Sequence, residues 1–374
     1  MAAAACMLLM SLPAAGWVIA QTPPRPVTGP FILIDAETGA VLDHANAVRP
    51  WFPASTTKLM TIYVAFRAIL AREATLQSPV TISDRAAAEP ASKMGFPVGT
   101  VLTLDNALKI MMVKSANDIA VAVAEAIGGS QEGFAARMNA ESQRLGMARS
   151  RWVNPHGLPD AGQITTARDM AVLARALLQE FPQHRDYYKL HAIQFGKSIL
   201  KNFNPLLERY PGANGMKTGF ICASGYNLVA SARRGDREMI AVVFGEYGGD
   251  ERAEHAAALL EQGFATPRPV AGPVTDLASV SSGQAYDSPI DMRPYVCAPA
   301  QAQTAADAPQ PGSLVTASAT ADGANGDMEQ EASPLGPPVY LGPPVQVSIM
   351  ASGDKLAPGK PGFVARIPRP RPLP

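Results

Sequence analysis

A serine and a lysine near the start of the chain could together carry out nucleophilic chemistry. Ser55 and Lys58 are three residues apart, so a helix that begins at the serine places both side chains on one face. A neutral lysine amine there could accept the proton of the serine hydroxyl. Since the reference pKa of lysine is about 10.4, this role needs burial and a second cation to lower the pKa by ~3 units. Taken alone, the pair also fits a helix-capping serine beside a solvated lysine.

A second pair of polar side chains follows 60 residues later, in Ser115-Ala116-Asn117. It lies between two stretches with helical periodicity, so a hydroxyl and an amide two residues apart in the connection could both face one pocket. The alternative is structural, because either Ser115 or Asn117 could cap the helix that begins at Asp118.

A third motif, Lys217-Thr218-Gly219, falls inside a predicted strand. Strand alternation puts Lys217 and Gly219 on one face, where the glycine leaves room for the backbone of a substrate. The lysine could then bind a carboxylate, with the Thr218 hydroxyl as a further donor. Taken alone, the motif also fits an ordinary edge strand that carries a lysine.

The order of the three motifs, with 60 and 102 residues between their first members, makes coincidence a poor explanation. It is the motif pattern of serine penicillin-binding enzymes. The chain resembles the low-molecular-mass D-alanyl-D-alanine carboxypeptidases, a family that also includes D,D-endopeptidases. Two longer stretches, 154–160 and 165–171, resemble the turn of this family and its following helix. We interpret both as structural, with Thr165 or Thr166 as the helix cap.

The resemblance implies a role for each motif residue in cutting the D-Ala-D-Ala bond of peptidoglycan stem peptides. Ser55 would be the acylated nucleophile, and Lys58 would be its general base. Ser115 would relay a proton toward the leaving amine, while Asn117 would hold Lys58 and the substrate amide. β-Lactam antibiotics would be covalent inhibitors, and neither a cofactor nor a metal ion would be needed.

The resemblance also implies how the substrate is held. Lys217 and Thr218 would bind the terminal carboxylate beside Gly219, and the N–H groups of Ser55 and Phe220 would form the oxyanion hole. The family often has a threonine two residues after the glycine, but Ile221 stands there in this chain. Arg252 could replace the missing contact with the carboxylate, or it could be a charge on a helix surface.

Hydrophobic periodicity indicates the elements that must position these motifs. Strands are predicted near both ends of residues 29–266, with helices between them, as listed here: strands at 31–35, 40–43, 215–220, 226–233 and 238–244; helices at 57–71, 104–113, 118–127, 131–145, 166–178 and 251–263. This order predicts a mixed α/β (α+β) fold of the penicillin-binding and β-lactamase type. An antiparallel sheet would have flanking helices and an inserted helical subdomain, with the site in the cleft between them.

Composition excludes some other classes of protein. Lys plus Arg and Asp plus Glu both number 32, so no general attraction to nucleic acid is expected. The five histidines form no metal-binding pattern. There are only three cysteines, Cys6, Cys222 and Cys297, and we expect the last two to be unpaired.

Both ends of the chain differ from the central part. Residues 1–20 are apolar and end in Val18-Ile-Ala20, which resembles a secretory signal peptide, although the basic residues usual at its start are missing. An uncleaved membrane anchor is the alternative. We therefore expect export to the periplasm, with the outer face of the cytoplasmic membrane as an alternative location.

The last 108 residues, 267–374, contain 19 of the 34 prolines and are predicted to form a Pro/Ala-rich disordered tail. It could be a solvated spacer or an arm that binds the wall or a protein partner. We expect a chain that ends near Pro267 to retain full hydrolysis.

Three other activities remain to be compared with the carboxypeptidase reading. A D,D-endopeptidase would cut cross-links with the same residues. A class A β-lactamase would have an aspartate where Ala116 stands and a glutamate for deacylation in a nearby loop, and the sequence indicates neither. A slow penicillin-binding scaffold is disfavoured because all three motifs are intact.

Overall fold

The computed structural model describes residues 27–267, 276–280, 288–297 and 333–350. Within these residues the strands are β1 (Phe31–Asp35), β2 (Val41–Ala45), β3 (Pro79–Thr81), β4 (Val101–Thr103), β5 (Ala192–Phe195), β6 (Ser198–Lys201), β7 (Ala213–Ile221), β8 (Gly225–Arg234), β9 (Arg237–Glu246) and β10 (Val345–Val347). The helices are α1 (Lys58–Leu70), α2 (Asp84–Ala88), α3 (Leu104–Val113), α4 (Asn117–Gly128), α5 (Gln131–Leu145), α6 (Ala167–Glu180), α7 (Leu206–Arg209), α8 (Gly249–Ala265) and α9 (Arg293–Val296).

The main sheet has five antiparallel strands in the order β2-β1-β9-β8-β7. In this sheet β1 and β2 pair as a hairpin, β7, β8 and β9 pair as a three-stranded meander, and the pairing of β1 with β9 joins the two groups. The turn between β1 and β2 is held by Asp35, whose Oδ1 accepts hydrogen bonds from the N–H groups of Glu37 and Thr38, both at 3.0 Å. Strand β7, which carries the Lys217 motif, therefore lies at one edge of the sheet.

Both faces of the sheet are covered by helices, and the side chains of β9 alternate between the two. Ile240, Val242 and Phe244 belong to the larger hydrophobic core, which includes α1 and α6. Met239, Ala241 and Val243 pack in the smaller core under α8. Because successive strand residues point to opposite faces, burial on both sides explains why residues 239–244 of β9 are apolar without interruption.

The helical subdomain consists of α2 to α5. In the sequence it lies between α1 and the strands β7 to β9 of the main sheet. Its central helix, α4, contacts α1, α2, α3 and α5 and is buried over its first eight residues. It ends at Gly129, whose φ of +74° suits a glycine in the left-handed conformation. The first residue of α4 is Asn117, so this packing fixes the position of the second motif.

The predicted fold is confirmed, and each predicted helix and strand begins and ends within two residues of its predicted bounds. Short elements of residues 27–267 were not predicted from the sequence, namely β3 with β4, β5 with β6, and the helices α2 and α7. Three- to five-residue elements are too short for periodicity to reveal them. Thr166 caps α6, since its side chain accepts a hydrogen bond from the N–H of Asp169 at 3.0 Å.

The expectation that Cys222 and Cys297 are unpaired is wrong. Their sulfur atoms form a disulfide bond across 75 residues of sequence, with the Cα atoms 5.6 Å apart. The N–H of Met292 also donates to the carbonyl of Ala223, so the segment 288–297 is held beside the end of β7. Nothing in the local sequence of either cysteine could indicate a pair that only the chain fold brings together.

The prediction of a disordered tail is wrong for three described segments, 276–280, 288–297 and 333–350. Four of their apolar side chains are buried in the two cores, namely Leu277, Met292, Leu335 and Val347. The third segment also adds β10 in parallel beside β5. Scattered apolar residues among prolines can therefore pack on an existing domain, although they could not form a core of their own.

The remaining predictions for the chain ends lie outside the described residues. These are the signal peptide at 1–20 and the rest of the tail. Among the residues that are described, no helix combines the length and the apolar character that crossing a membrane requires.

Candidate active site

Ser55 lies in a single 3-10 turn, Ala54–Thr57, that leads directly into α1. Ala54 has a φ of +47°, a conformation that residues other than glycine rarely adopt. Two side chains hold the segment before the serine against the sheet. The Nδ2 of Asn227 donates to the carbonyls of Phe52 and Pro53, and the Nε1 of Trp51 donates to the carbonyl of Ser224 at 2.9 Å.

The amine of Lys58 is completely buried and lies among three oxygen atoms. Its Nζ is 3.0 Å from the Oγ of Ser55, 2.8 Å from the Oδ1 of Asn117 and 2.9 Å from the carbonyl oxygen of His156. Burial lowers the pKa of Lys58 well below its ordinary value, and the charge of Lys217 lowers it further. Asp118 and Glu89 oppose this effect on the pKa. The site therefore favours the neutral amine, which is the form that can accept a proton.

The second motif contributes Asn117 to this group and places Ser115 in the connection between α3 and α4. The Nδ2 of Asn117 donates to the carbonyl of Pro90 at 3.1 Å, which turns its Oδ1 toward Lys58. No side chain caps α4, so neither Ser115 nor Asn117 acts as its helix cap. Ser115 has a φ of +60°, and its buried Oγ has no hydrogen-bond partner within the described part of the chain. A hydroxyl held without a partner is available to a substrate.

The third motif lies on β7 against the turn that carries Ser55. A Cβ atom at Gly219 would come within 3.0 Å of the carbonyl oxygen of Pro53 and of the N–H nitrogens of Ser55 and Thr56. Only a glycine lets the two backbones approach so closely. The close approach brings the strand of Lys217 directly beside the serine.

Lys217 and Thr218 are buried, whereas Phe220 is 40% exposed. The Nζ of Lys217 donates to the carbonyl of Thr218 at 3.0 Å. Burial, together with the charge of Arg252, lowers the pKa of Lys217 to about 7. The ring of Phe220 packs on that of Tyr226, with centroids 4.3 Å apart.

Arg252 is buried, so it is not a charge on the surface of its helix. Its closest hydrogen-bond acceptors are the carbonyls of Asn227 and Phe203, at the long distances of 3.5 and 3.4 Å. Its Nε has no partner among the residues described here, and burial lowers its pKa to about 10. A buried guanidinium with such weak contacts near Lys217 leaves a site suited to an anion.

Two contributors to the site, the backbone carbonyl of His156 and the side chain of Glu89, were not recognised from the sequence. The turn at 154–160 was interpreted as structural, yet the backbone carbonyl of His156 contacts the amine of Lys58. The ring of His156 has Glu89 as a neighbour, with 3.5 Å between Nε2 and Oε2. A backbone carbonyl has no signature in side-chain patterns, and only the resemblance of this turn to the family could have indicated it.

Comparison with known proteins shows the family to which this chain belongs. The model of the D-alanyl-D-alanine carboxypeptidase family, peptidase S11, matches residues 18–248, and the chain belongs to this family. D-alanyl-D-alanine carboxypeptidase DacC of Escherichia coli is 36% identical over 241 residues, which cover 63% of this chain and 60% of DacC. DacF of Bacillus subtilis is 35% identical and is covered over 61% of its length. The chain thus spans less than two thirds of these relatives.

A solved structure shows the same relationship. Penicillin binding protein 6B from Escherichia coli superimposes with a TM-score of 0.61 at 33% identity, over 66% of this chain and 80% of that protein. The similarity supports the antiparallel sheet and the inserted helices as the fold of the family.

Proposed function

We propose that this protein is a serine-type D-alanyl-D-alanine carboxypeptidase that trims peptidoglycan stem peptides. The observation that supports this most directly is the buried amine of Lys58 at 3.0 Å from the hydroxyl of Ser55. A neutral amine has two N–H groups and one lone pair. Because Asn117 Oδ1 and the His156 carbonyl can only accept, they take the two N–H groups, and the lone pair is left for the proton of Ser55.

In the proposed reaction Ser55 attacks the carbonyl carbon of the D-Ala-D-Ala bond while Lys58 takes its proton. The N–H groups of Ser55 and Phe220 would stabilise the oxyanion, at ~3 kcal/mol per donor. Ser115 would pass a proton to the departing amine of D-alanine. Water would then hydrolyse the acyl-enzyme, with Lys58 again as the base.

Three groups would hold the terminal carboxylate of the substrate: Lys217, Thr218 and Arg252. Arg252 takes the place of the hydroxyl that the motif lacks at Ile221. The weak contacts of its guanidinium support this assignment, because a bound carboxylate would give it the partner that it lacks.

We also propose that residues 29–266 form the catalytic domain of an exported protein that acts in the periplasm. The apolar stretch at 1–20 would direct export. The Cys222–Cys297 disulfide supports this location, since such bonds persist in oxidising compartments. A wall or protein partner for the rest of the tail stays a prediction.

Labelled penicillin tests the proposed nucleophile. We expect the full-length protein to be labelled covalently at Ser55, and Ser55→Ala to lose both labelling and release of D-alanine from a pentapeptide. Ser198→Ala is the matched control, because Ser198 is an exposed serine of β6, and it should behave as the wild type. Labelling that persists in Ser55→Ala would contradict the assignment.

A further inference from the structure

A short piece of the Pro-rich tail, residues 288–297, is fastened to the end of β7, and we call it the brace. The disulfide joins Cys297 of the brace to Cys222, the first residue after β7. The N–H of Met292 donates to the carbonyl of Ala223 at 3.1 Å, and the side chain of Met292 is fully buried in the larger core. A covalent bond, a backbone hydrogen bond and a buried side chain therefore fix the brace to the turn that follows β7.

The brace is attached close to one of the two donors of the proposed oxyanion hole. Phe220 lies two residues before Cys222, near the end of the edge strand β7. The N–H of Ile221 donates to the Oγ of Ser224, in the turn toward β8, at 3.2 Å. Because the N–H groups of successive strand residues point to opposite edges, the N–H of Phe220 points to the open edge of β7, where the Ser55 turn lies. The position of this donor depends on how the end of β7 is held.

The turn that the brace holds also contacts the segment that carries the other donor. The Nε1 of Trp51 donates to the carbonyl of Ser224 at 2.9 Å, and Trp51 is fully buried four residues before Ser55. The turn at 222–224 is thus joined to the brace through its first two residues and to the segment of Ser55 through its third. A shift of this turn would change the distance between the N–H groups of Ser55 and Phe220.

An oxyanion hole is sensitive to small displacements of its donors. Each N–H must lie about 2.7–3.1 Å from the oxygen that becomes charged, and removal of one donor costs about 100- to 1000-fold in related acyl transfer. A loosened end of β7 would keep the donor but place it less accurately, so the expected loss is smaller. Lys217 and Thr218, which would hold the substrate carboxylate, lie five and four residues before Cys222. Binding of the carboxylate should therefore change little.

We propose that the brace is a positioning element of the oxyanion hole. By fixing the turn at 222–224, it holds the N–H of Phe220 at the distance from the N–H of Ser55 that the tetrahedral intermediate requires. This inference rests on the function proposed above, and the brace acts through Phe220 without needing to touch the substrate. Since the disulfide forms in oxidising compartments, the enzyme would reach full activity only after export.

The substitution Cys297→Ser removes the covalent anchor and leaves the sequence of β7 unchanged. For a D-Ala-D-Ala pentapeptide we expect kcat per active site to fall about tenfold while KM stays within about twofold of wild type, because the donors act mainly on the transition state. Active sites are counted as the protein that labelled penicillin finally acylates, so a loss of folded protein does not lower this kcat. Arg293→Ala is the matched control, since its exposed side chain pairs with Asp291 inside the brace, and it should change neither constant.

A boronic acid analogue of the substrate reports on the oxyanion hole itself. Its tetrahedral adduct with Ser55 would place a hydroxyl oxygen between the two donors, as the transition state does. The inhibition constant should rise about tenfold in Cys297→Ser, in parallel with the fall in kcat, and should not change in Arg293→Ala.

Reduction of the folded wild type tests the same contact without any substitution. Dithiothreitol gives two electrons and two protons to the disulfide, so that Cys222 and Cys297 become thiols and dithiothreitol becomes its cyclic disulfide. After removal of the reagent, kcat per active site should equal that of Cys297→Ser, and reoxidation should restore the wild-type value. This measurement decides the question if Cys297→Ser yields no protein that penicillin labels.

The outcomes separate this inference from the function on which it rests. A wild-type kcat per active site in the reduced protein, a rise in KM at unchanged kcat, or an equal fall in Arg293→Ala would each overturn the role of the brace and leave the carboxypeptidase intact. Absence of both D-alanine release and penicillin labelling in the wild type would overturn the proposed function itself.

Discussion

The two lysines of the site are both buried, and the charge of Lys217 lowers the pKa of Lys58. Burial alone already disfavours the charged form of each amine. The second cation, which the proposed base requires, is thus supplied from a strand 159 residues away along the chain. This relationship determines how the rate of acylation should depend on pH.

Replacement of Lys217 by methionine is expected to move the pH profile of acylation. Lys58 can act as a base only when it is neutral, so the rate rises as the pH passes upward through its pKa. Lys217→Met removes a cation that lowers this pKa, so the rising limb should shift to higher pH. The measurement is the rate of labelling at saturating penicillin between pH 5 and 10, with Lys197→Met as the control. An unchanged rising limb would show that Lys217 does not act on Lys58.

The same pKa argument predicts how substrate binding depends on pH. The pKa of Lys217 is lowered to about 7 in the free enzyme, and only the charged amine attracts a carboxylate. KM for a D-Ala-D-Ala peptide should therefore rise as the pH increases above about 7. Steady-state kinetics over this range test it, and a KM that falls with rising pH would contradict the assigned role.

Substitution of Gly219 by alanine is expected to impair acylation about 10- to 100-fold. The new Cβ would lie 3.0 Å from three backbone atoms of residues 53–56, so β7 or the Ser55 turn must move, and displacement of a nucleophile is costly. Rates of penicillin labelling measure the effect. Gly248→Ala is the matched control, because the nearest atoms to its Cβ are 3.6 Å away or more. Wild-type labelling of Gly219→Ala would refute the close approach.

Asp118 is expected to be a large contributor to stability. Its carboxylate is buried and accepts hydrogen bonds from the N–H groups of Met94, Gly95 and Ile119 at 2.9–3.0 Å. Asp118→Ala would leave these donors unpaired and should lower the free energy of unfolding by about 3 kcal/mol. Asp118→Asn keeps one acceptor oxygen and should cost less. Urea unfolding tests this prediction. An equal decrease in the free energy of unfolding for both variants would contradict it.

The segment 333–350, here called the strap, is expected to stabilise the domain without taking part in the hydrolysis of simple peptides. A chain that ends at residue 332 exposes the sites of Leu335 and Val347, each worth about 1.5–3 kcal/mol when fully buried. It should therefore unfold at a lower temperature than a chain that ends at residue 350, which keeps both side chains. Release of D-alanine should be similar in the two. Identical melting temperatures would mean that the strap does not contribute to stability.

The sequence by itself determined much about this protein. The helices of ten residues or more and the main strands follow from apolar spacing, because period 3.6 and period 2 are local properties of the chain. The order and spacing of the three motifs pointed to the family before any contact was known. Ser55, Lys58, Asn117 and Lys217 could be selected in this way because their side chains carry the chemistry.

Only the tertiary structure decided which distant groups meet. The Cys222–Cys297 pair, the contact of the His156 carbonyl with Lys58 and the packing of the strap all join segments far apart in sequence. Such contacts depend on the path of the whole chain, and a backbone carbonyl is the same chemical group at every residue. The burial of apolar residues in a Pro-rich stretch is equally hard to predict from the sequence, since it depends on a surface that the rest of the domain supplies.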